Sequence, residues 1–298
     1  MLCWYVFKSR EEAFANADEI PGGESTAVWA EAARRLNIYV VAGTAERAAE
    51  RLFNSAVLVG PEGYIGTYRK LHLWGDEHLF FEAGDLGLPV FHTEIGRLAV
   101  LICYDGWFPE VYRLLAMRGA DVVCMPTNWV PMAGQSPIHM PMANTLAMAS
   151  AHSNSLNIVC ANRVGTERGQ PFIGCSLIVG SDGWPLAGPA SPDGEEILYA
   201  NFNLKATRGS RHLTSFNDVI LLDEIAEGVQ PSVVERIAEA LLADRKQNVR
   251  TLIMVEQNVP FVLKVVDRYI VLKQGEVVDE GNAKGPDAAD RIIDHLRV

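Results

Sequence analysis

The sequence has no apolar stretch of the length a membrane-spanning helix needs. Its N-terminus lacks a basic segment followed by an apolar core, which sets aside a secretory signal. It has no basic run. With 26 Lys and Arg against 37 Asp and Glu the formal net charge is −11, which argues against nucleic acid as a partner. Cysteine is scarce and odd in number: Cys3, Cys103, Cys124, Cys160 and Cys175 stand apart from one another. Such a set fits neither a disulfide framework nor a zinc site. His72, His139 and His152 share no ligand spacing and read as structural, so no metal is expected. These absences together point to the cytoplasm.

What is present suits a globular α/β protein. The chain has 298 residues, 49% apolar and 21% charged, enough for one large domain or two smaller ones. Strand and helix signals alternate. Ser25 or Thr26 is placed to cap a helix running to about Leu36, with Val28, Ala32 and Leu36 on one face. Ile38–Gly43 reads as a strand. Asn54–Leu58 and Gly66–Lys70 read as paired strands around the turn Gly60-Pro-Glu-Gly63. Strands are also expected over 98–103, 121–126, 158–162 and 175–179. Helices are expected over 108–119 and 141–153. Ser181-Asp-Gly183 has the chemistry of a hairpin turn.

One segment carries chemistry. Leu98-Ala-Val-Leu-Ile-Cys103 is an apolar run ending on a thiol, followed by a short turn and by Pro109-Glu110 opening a helix. Backbone N–H groups and the positive end of a helix can stabilise a thiolate at such a place. A cysteine ending an apolar run is otherwise a core residue, the reading given to Cys124, Cys160 and Cys175. The neighbouring motifs distinguish Cys103: Tyr68-Arg-Lys70-Leu-His-Leu-Trp74, then Glu77, then Phe81-Glu-Ala-Gly84-Asp85.

In that order these motifs resemble the nitrilase, or carbon–nitrogen hydrolase, superfamily over residues 1–217. The resemblance implies an α-β-β-α sandwich that dimerises, and a catalytic set of Glu, Lys and Cys with a second Glu between Lys and Cys. Lys70 and Cys103 fall on the family's Lys and Cys, and Glu77 on its second glutamate. The family's first strand, ending Pro-Glu-Leu and carrying the base glutamate, has no counterpart here. Leu2 falls where the residue after that glutamate belongs, and Tyr5 and Phe7 match the segment that follows. Glu11, Glu12, Glu19 and Glu24 lie beyond the matching point.

The implied chemistry is attack of the Cys103 thiolate on an amide or nitrile carbon. Lys70 and the backbone N–H of Tyr104 would hold the oxyanion, and a glutamate would move the proton. Glu77 would position Lys70 or the base. Asn128 and Trp129 resemble the family's pocket-lining segment, and Tyr104 joins them as a substrate-binding residue. Each residue also has a plainer reading: Lys70 as a solvated lysine, Glu77 as loop charge, Trp129 as packing. Cys103-Tyr-Asp105 with Phe108-Pro-Glu110 leans toward a small amide or carbamoyl substrate. No cofactor is needed, and a homo-oligomer is expected.

After about Asn217 the character changes. Val219-Ile-Leu-Leu-Asp223-Glu224, a helix opened by Pro231, Thr251–Val255 followed by Glu256-Gln257-Asn258, and a terminal hairpin resemble the C-terminal part of an ABC-transporter ATPase of the branched-chain amino acid or urea uptake type. Asp223 and Glu224 match its paired carboxylates and Gln257 its switch position. Ile225 stands where that family has proline, and the chain has no G-x-x-x-x-G-K-[ST] phosphate loop and no L-S-G-G-Q signature. The expectation is a nitrilase-like domain, residues 1–217, lacking its first strand, joined near Phe216–Ile220 to a small α/β segment, residues 218–298. Three functions stay open: a thiol amidase slowed by loss of its base, a dead chimera, and a nucleotide-binding fragment.

Overall fold

The structure is a computed structural model that describes residues 6–132, 134, 139–211, 219–247 and 251–296. Leu2, Tyr5 and most of the expected join lie outside the described residues. The chain forms two compact units divided between residues 213 and 214.

In the first unit α1 (Arg10–Asn16) and α2 (Glu24–Leu36) lead into β1 (Val40–Ala48), β2 (Arg51–Gly60) and β3 (Gly63–Arg69). Then come β4 (Val90–Thr93), β5 (Gly96–Val100), α3 (Pro109–Met117), β6 (Val122–Thr127), α4 (Met142–Asn154) and β7 (Asn157–Asn162). The short strands β8 (Thr166–Glu167), β9 (Gln170–Pro171), β10 (Leu177–Val179) and β11 (Pro185–Ala187) precede α5 (Leu204–Arg211). Strands β1, β2 and β3 form an antiparallel sheet, with Ala56 opposite both Gly43 and Tyr68. A second sheet has the order β11-β10-β7-β6-β5-β4, with β5, β6 and β7 parallel.

Strand β1 packs against β6, α2 covers the three-stranded sheet, and α3 and α4 cover the other. The result is the expected α-β-β-α layering. The core between and beneath the sheets holds Tyr68, Leu101, Leu115, Met125, Leu156 and Ile158. Each such aliphatic side chain contributes about 1.5–3 kcal/mol by leaving water.

Several expectations need correction. Helix α2 starts at Glu24 with Gly23 as its N-cap, and neither Ser25 nor Thr26 caps it. Asp18 does the work instead, its Oδ2 accepting from Ser25 N at 2.7 Å. Strand β1 begins and ends later than expected. The apolar run 98–103 leaves the sheet after Val100, and Cys103 instead opens a 3₁₀ turn, Cys103–Trp107. Helix α3 stops at Met117. Gly119, at φ +84°, turns the chain where a Cβ would come 2.6 Å from Arg97 Nη1.

The second unit contains β12 (Val219–Asp223), α6 (Pro231–Gln247), β13 (Thr251–Val255), α7 (Val259–Val265), β14 (Arg268–Lys273), β15 (Glu276–Asn282) and α8 (Ala288–Leu296). Strands β12 and β13 are parallel, and β14 and β15 form the expected hairpin. Helices α7 and α8 were not legible in advance. Asn258 Oδ1 caps α7 by accepting from Phe261 N at 3.2 Å, and α8 buries Ala288 and Ile292 against Tyr269 and Val271.

Candidate active site

Lys70 follows the last residue of β3. Its backbone N–H donates to Asn54 O at 2.8 Å, and its carbonyl accepts from Gly84 N at 2.8 Å. Gly84 approaches so closely that a Cβ there would lie 2.1 Å from Arg69 O. The Lys70 side chain is wholly buried, so the solvated-lysine reading fails. Its Nζ donates to Glu77 Oε2 at 2.6 Å. Glu77 sits in a 3₁₀ turn, Gly75–Leu79, and also accepts from Trp74 N at 2.8 Å and from Asn54 Nδ2 at 3.0 Å. A buried ion pair with this many hydrogen bonds is a fixed element, since loss of either partner strands a charge. Glu77 is not loose loop charge.

Cys103 is buried at the C-terminal end of the β5 segment, at φ +48°. That left-handed backbone is costly for a residue with a Cβ. Asp105 holds it. Fully buried, its carboxylate accepts from Ile102 N at 3.0 Å, Tyr68 Oη at 2.8 Å, His72 N at 3.0 Å and His72 Nδ1 at 2.9 Å. One carboxylate therefore ties the turn bearing Cys103 to the segment bearing Lys70. Sequence reasoning assigned Asp105 no role. The available signal was an acidic residue two positions after the thiol in an otherwise apolar stretch.

Burial pushes the Cys103 thiol up from its ordinary value. Lys70 works against burial, as do the Thr127 hydroxyl and the Asn128 N–H, while Glu77 adds to it. Lys70, Glu77 and Cys103 therefore act on one another electrostatically. Burial alone pushes Cys124 up to about 12.

Cys103 opens onto a cavity of about 360 Å³ whose wall includes Asn54, Thr127, Asn128, Asn162 and Arg163. Among the described residues no Asp or Glu lines this cavity. On its other side Cys103 borders a cleft walled by Trp74, Tyr104, Trp107, Asn128 and Trp129. The Trp74 and Tyr104 rings stand 4.6 Å apart between centroids, and Tyr104 meets Phe108 edge-on at 5.3 Å. Tyr104, Asn128 and Trp129 are thus brought to the thiol. Trp129 is also packed: 2% exposed, its backbone N–H donating to Asn162 Oδ1 at 2.8 Å. Trp129 thus lines the cleft beside Cys103 and is itself buried. His72 pairs with Asp105 and His152 Nδ1 lies 2.9 Å from Asp182 O, and among the described residues no group of His, Cys, Asp and Glu could hold a metal. No helix among them is long and apolar enough to cross a membrane.

A model of the carbon–nitrogen hydrolase family matches residues 2–212. A nitrilase from Pyrococcus abyssi is 44% identical over 215 residues, 72% of this chain and 78% of that protein. The crystal structure of a carbon–nitrogen hydrolase from Helicobacter pylori G27 superposes with a TM-score of 0.60 at 32% identity, covering 65% of this chain and 71% of that one. A variant of the amidase from Nesterenkonia sp. AN1 superposes with a TM-score of 0.52 at 27% identity, covering 62% and 66%. That amidase carries covalent addition of the acetamide moiety of fluoroacetamide at its active site cysteine.

Proposed function

The chain belongs to the carbon–nitrogen hydrolase family, and on that premise we propose that it hydrolyses a small amide through an acyl group on Cys103. The observation that carries this reading is the Asp105 clamp, which holds a strained thiol-bearing turn against the segment that presents a wholly buried lysine. Attack of the Cys103 sulfur on the carbonyl carbon forms the C–S bond and moves negative charge to the carbonyl oxygen. Lys70 and the Tyr104 N–H face that oxyanion. Collapse breaks the C–N bond, and the amine leaves with the proton taken from the thiol. Water then attacks the thioester and releases the carboxylic acid and the free thiol.

Glu77 is engaged by Lys70, Asn54 and Trp74, which suits it to positioning Lys70 rather than to ferrying protons. Among the described residues no carboxylate lines the cavity, and burial raises the thiol, so slow turnover is expected from these residues alone. A missing general base costs about 10²–10⁴ in rate. Amides are favoured over nitriles as substrates, in keeping with the amidases among its relatives. The test is ammonia release from small aliphatic amides: slow turnover that C103S abolishes supports the reading, and turnover that survives C103S overturns it.

For residues 218–298 we keep the reading of a fragment similar to the end of a transporter ATPase, without nucleotide chemistry. The family match stops at residue 212. Gln257 Nε2 donates to Glu224 Oε1 at 3.0 Å, the pairing of the two positions that the resemblance singled out. Calorimetry with Mg-ATP is expected to show no binding, and a saturable signal refutes that expectation.

A further inference from the structure

Thr127 ends β6 beside the nucleophile, and its hydroxyl has no part in the reaction as written above. Strands β5 and β6 are parallel with Val100 opposite Cys124. Cys103 lies three residues beyond Val100 and Thr127 three beyond Cys124, and both line the same cavity. Thr127 is 8% exposed, and its Oγ1 is buried without a hydrogen-bond partner. A buried hydroxyl left unpaired is disfavoured, whereas valine has the same shape and carries no such penalty. An unsatisfied polar atom at a reactive centre calls for a use. A neutral thiol is a weak acceptor, so it gives this hydroxyl little. A thiolate is a strong one, because hydrogen bonds to an ionised acceptor are about twice as strong as neutral ones.

We propose that the Thr127 hydroxyl donates a hydrogen bond to the Cys103 sulfur whenever that sulfur carries negative charge. It stands there with the Lys70 ammonium and the Asn128 N–H, all three favouring the anion against burial and against Glu77. The hydroxyl is idle in the resting thiol and engaged when the nucleophile forms, so it stabilises the reactive state more than the resting one.

The proposal rests on Cys103 being the nucleophile, and its test separates the two. The full chain is alkylated with iodoacetamide across a pH series, and labelling is followed by peptide mass. The tryptic peptide Leu98–Arg113 contains Cys103 alone, while Cys124 and Cys160 share the peptide Gly119–Arg163. T127V is expected to cut the Cys103 alkylation rate at fixed pH about tenfold by moving the profile about one pH unit upward. T127S, which restores the hydroxyl, is expected to recover the profile. T127A serves where T127V fails to fold. A T127V or T127A profile that overlays the wild type overturns the proposal while leaving the nucleophile assignment intact. A wild-type Cys103 no faster than the Cys124 peptide overturns both.

Discussion

Replacing Asp105 with asparagine keeps shape and removes one acceptor. In the wild type Oδ1 accepts from His72 N and faces His72 Nδ1, and Oδ2 accepts from Tyr68 Oη and Ile102 N. The new amide can turn its NH₂ toward His72, where the imidazole can switch tautomer and accept, but the His72 backbone N–H cannot. Turned the other way, it faces the Tyr68 hydroxyl, which can rotate and accept, and the Ile102 backbone N–H, which cannot. Either orientation therefore orphans one buried backbone donor at about 1–3 kcal/mol. The remaining bonds lose charge assistance, for a total of about 2–4 kcal/mol. The orphan lies one residue before Cys103 or two after Lys70, so one of the two reactive side chains loosens. A displacement of about 1 Å is worth roughly 10²-fold in rate.

The assay is denaturant unfolding followed by tryptophan fluorescence. All six tryptophans, at positions 4, 29, 74, 107, 129 and 184, precede residue 213, so the signal reports the first unit. Y68F removes one donor to Asp105 and the acceptor of the half-buried Leu71 N–H at 3.4 Å, and is expected to cost about 1–2 kcal/mol. A D105N transition within about 0.5 kcal/mol of wild type, with Cys103 alkylation unchanged, refutes the clamp.

Two more predictions follow from buried charge. E77Q leaves the Lys70 ammonium without its counter-charge; a loss of about 3 kcal/mol in the same transition is expected, and less than about 1 kcal/mol contradicts a fixed pair. Asp121 is wholly buried and ties β5 to α5: it accepts from Arg97 N at 2.9 Å, Arg208 Nε at 3.0 Å and Arg208 Nη2 at 2.6 Å. Burial acts to raise its carboxyl, but the Arg208 and Arg97 hydrogen bonds win and hold it well below the usual carboxylate range. A depressed folded value contributes stability that is full above the unfolded value near 3.9 and fades as pH falls through the folded one. D121N is thus expected to cost about 3 kcal/mol at neutral pH, and the gap to wild type should shrink between about pH 5 and pH 2. A gap constant across that range contradicts the assignment.

Much of the fold was legible because it rests on local patterning. The β2–β3 hairpin announces itself through the turn Gly60-Pro-Glu-Gly63 between two strand-like runs, α2 through helical spacing, and α4 through its run of Ala, Met and Ser. The end of β5 was not legible. The apolar run continues to Cys103, and only the turn closed by the hydrogen bond from Ile102 N to Asp105, itself held by Tyr68 and His72, shows where the sheet ends. The cap of α2 failed for a similar reason, since Asp18 reaches it from outside the helix. In the candidate site Cys103, Lys70 and Glu77 were readable as spaced motifs, whereas Asp105 and Thr127 act through contacts between strands distant in sequence. Helix α8 carries an apolar stripe of Ala288, Ile292 and Ile293, but it was missed because that stripe gains its partners only from α7 and the β14–β15 hairpin.

The most direct test of the central claim is the mass of the Leu98–Arg113 peptide after long incubation of the chain with a small aliphatic amide and an acid quench. The account predicts an acyl group on Cys103, absent from C103S and diminished in K70M. An acyl group on another cysteine, or no acyl group on Cys103 at any time, contradicts it.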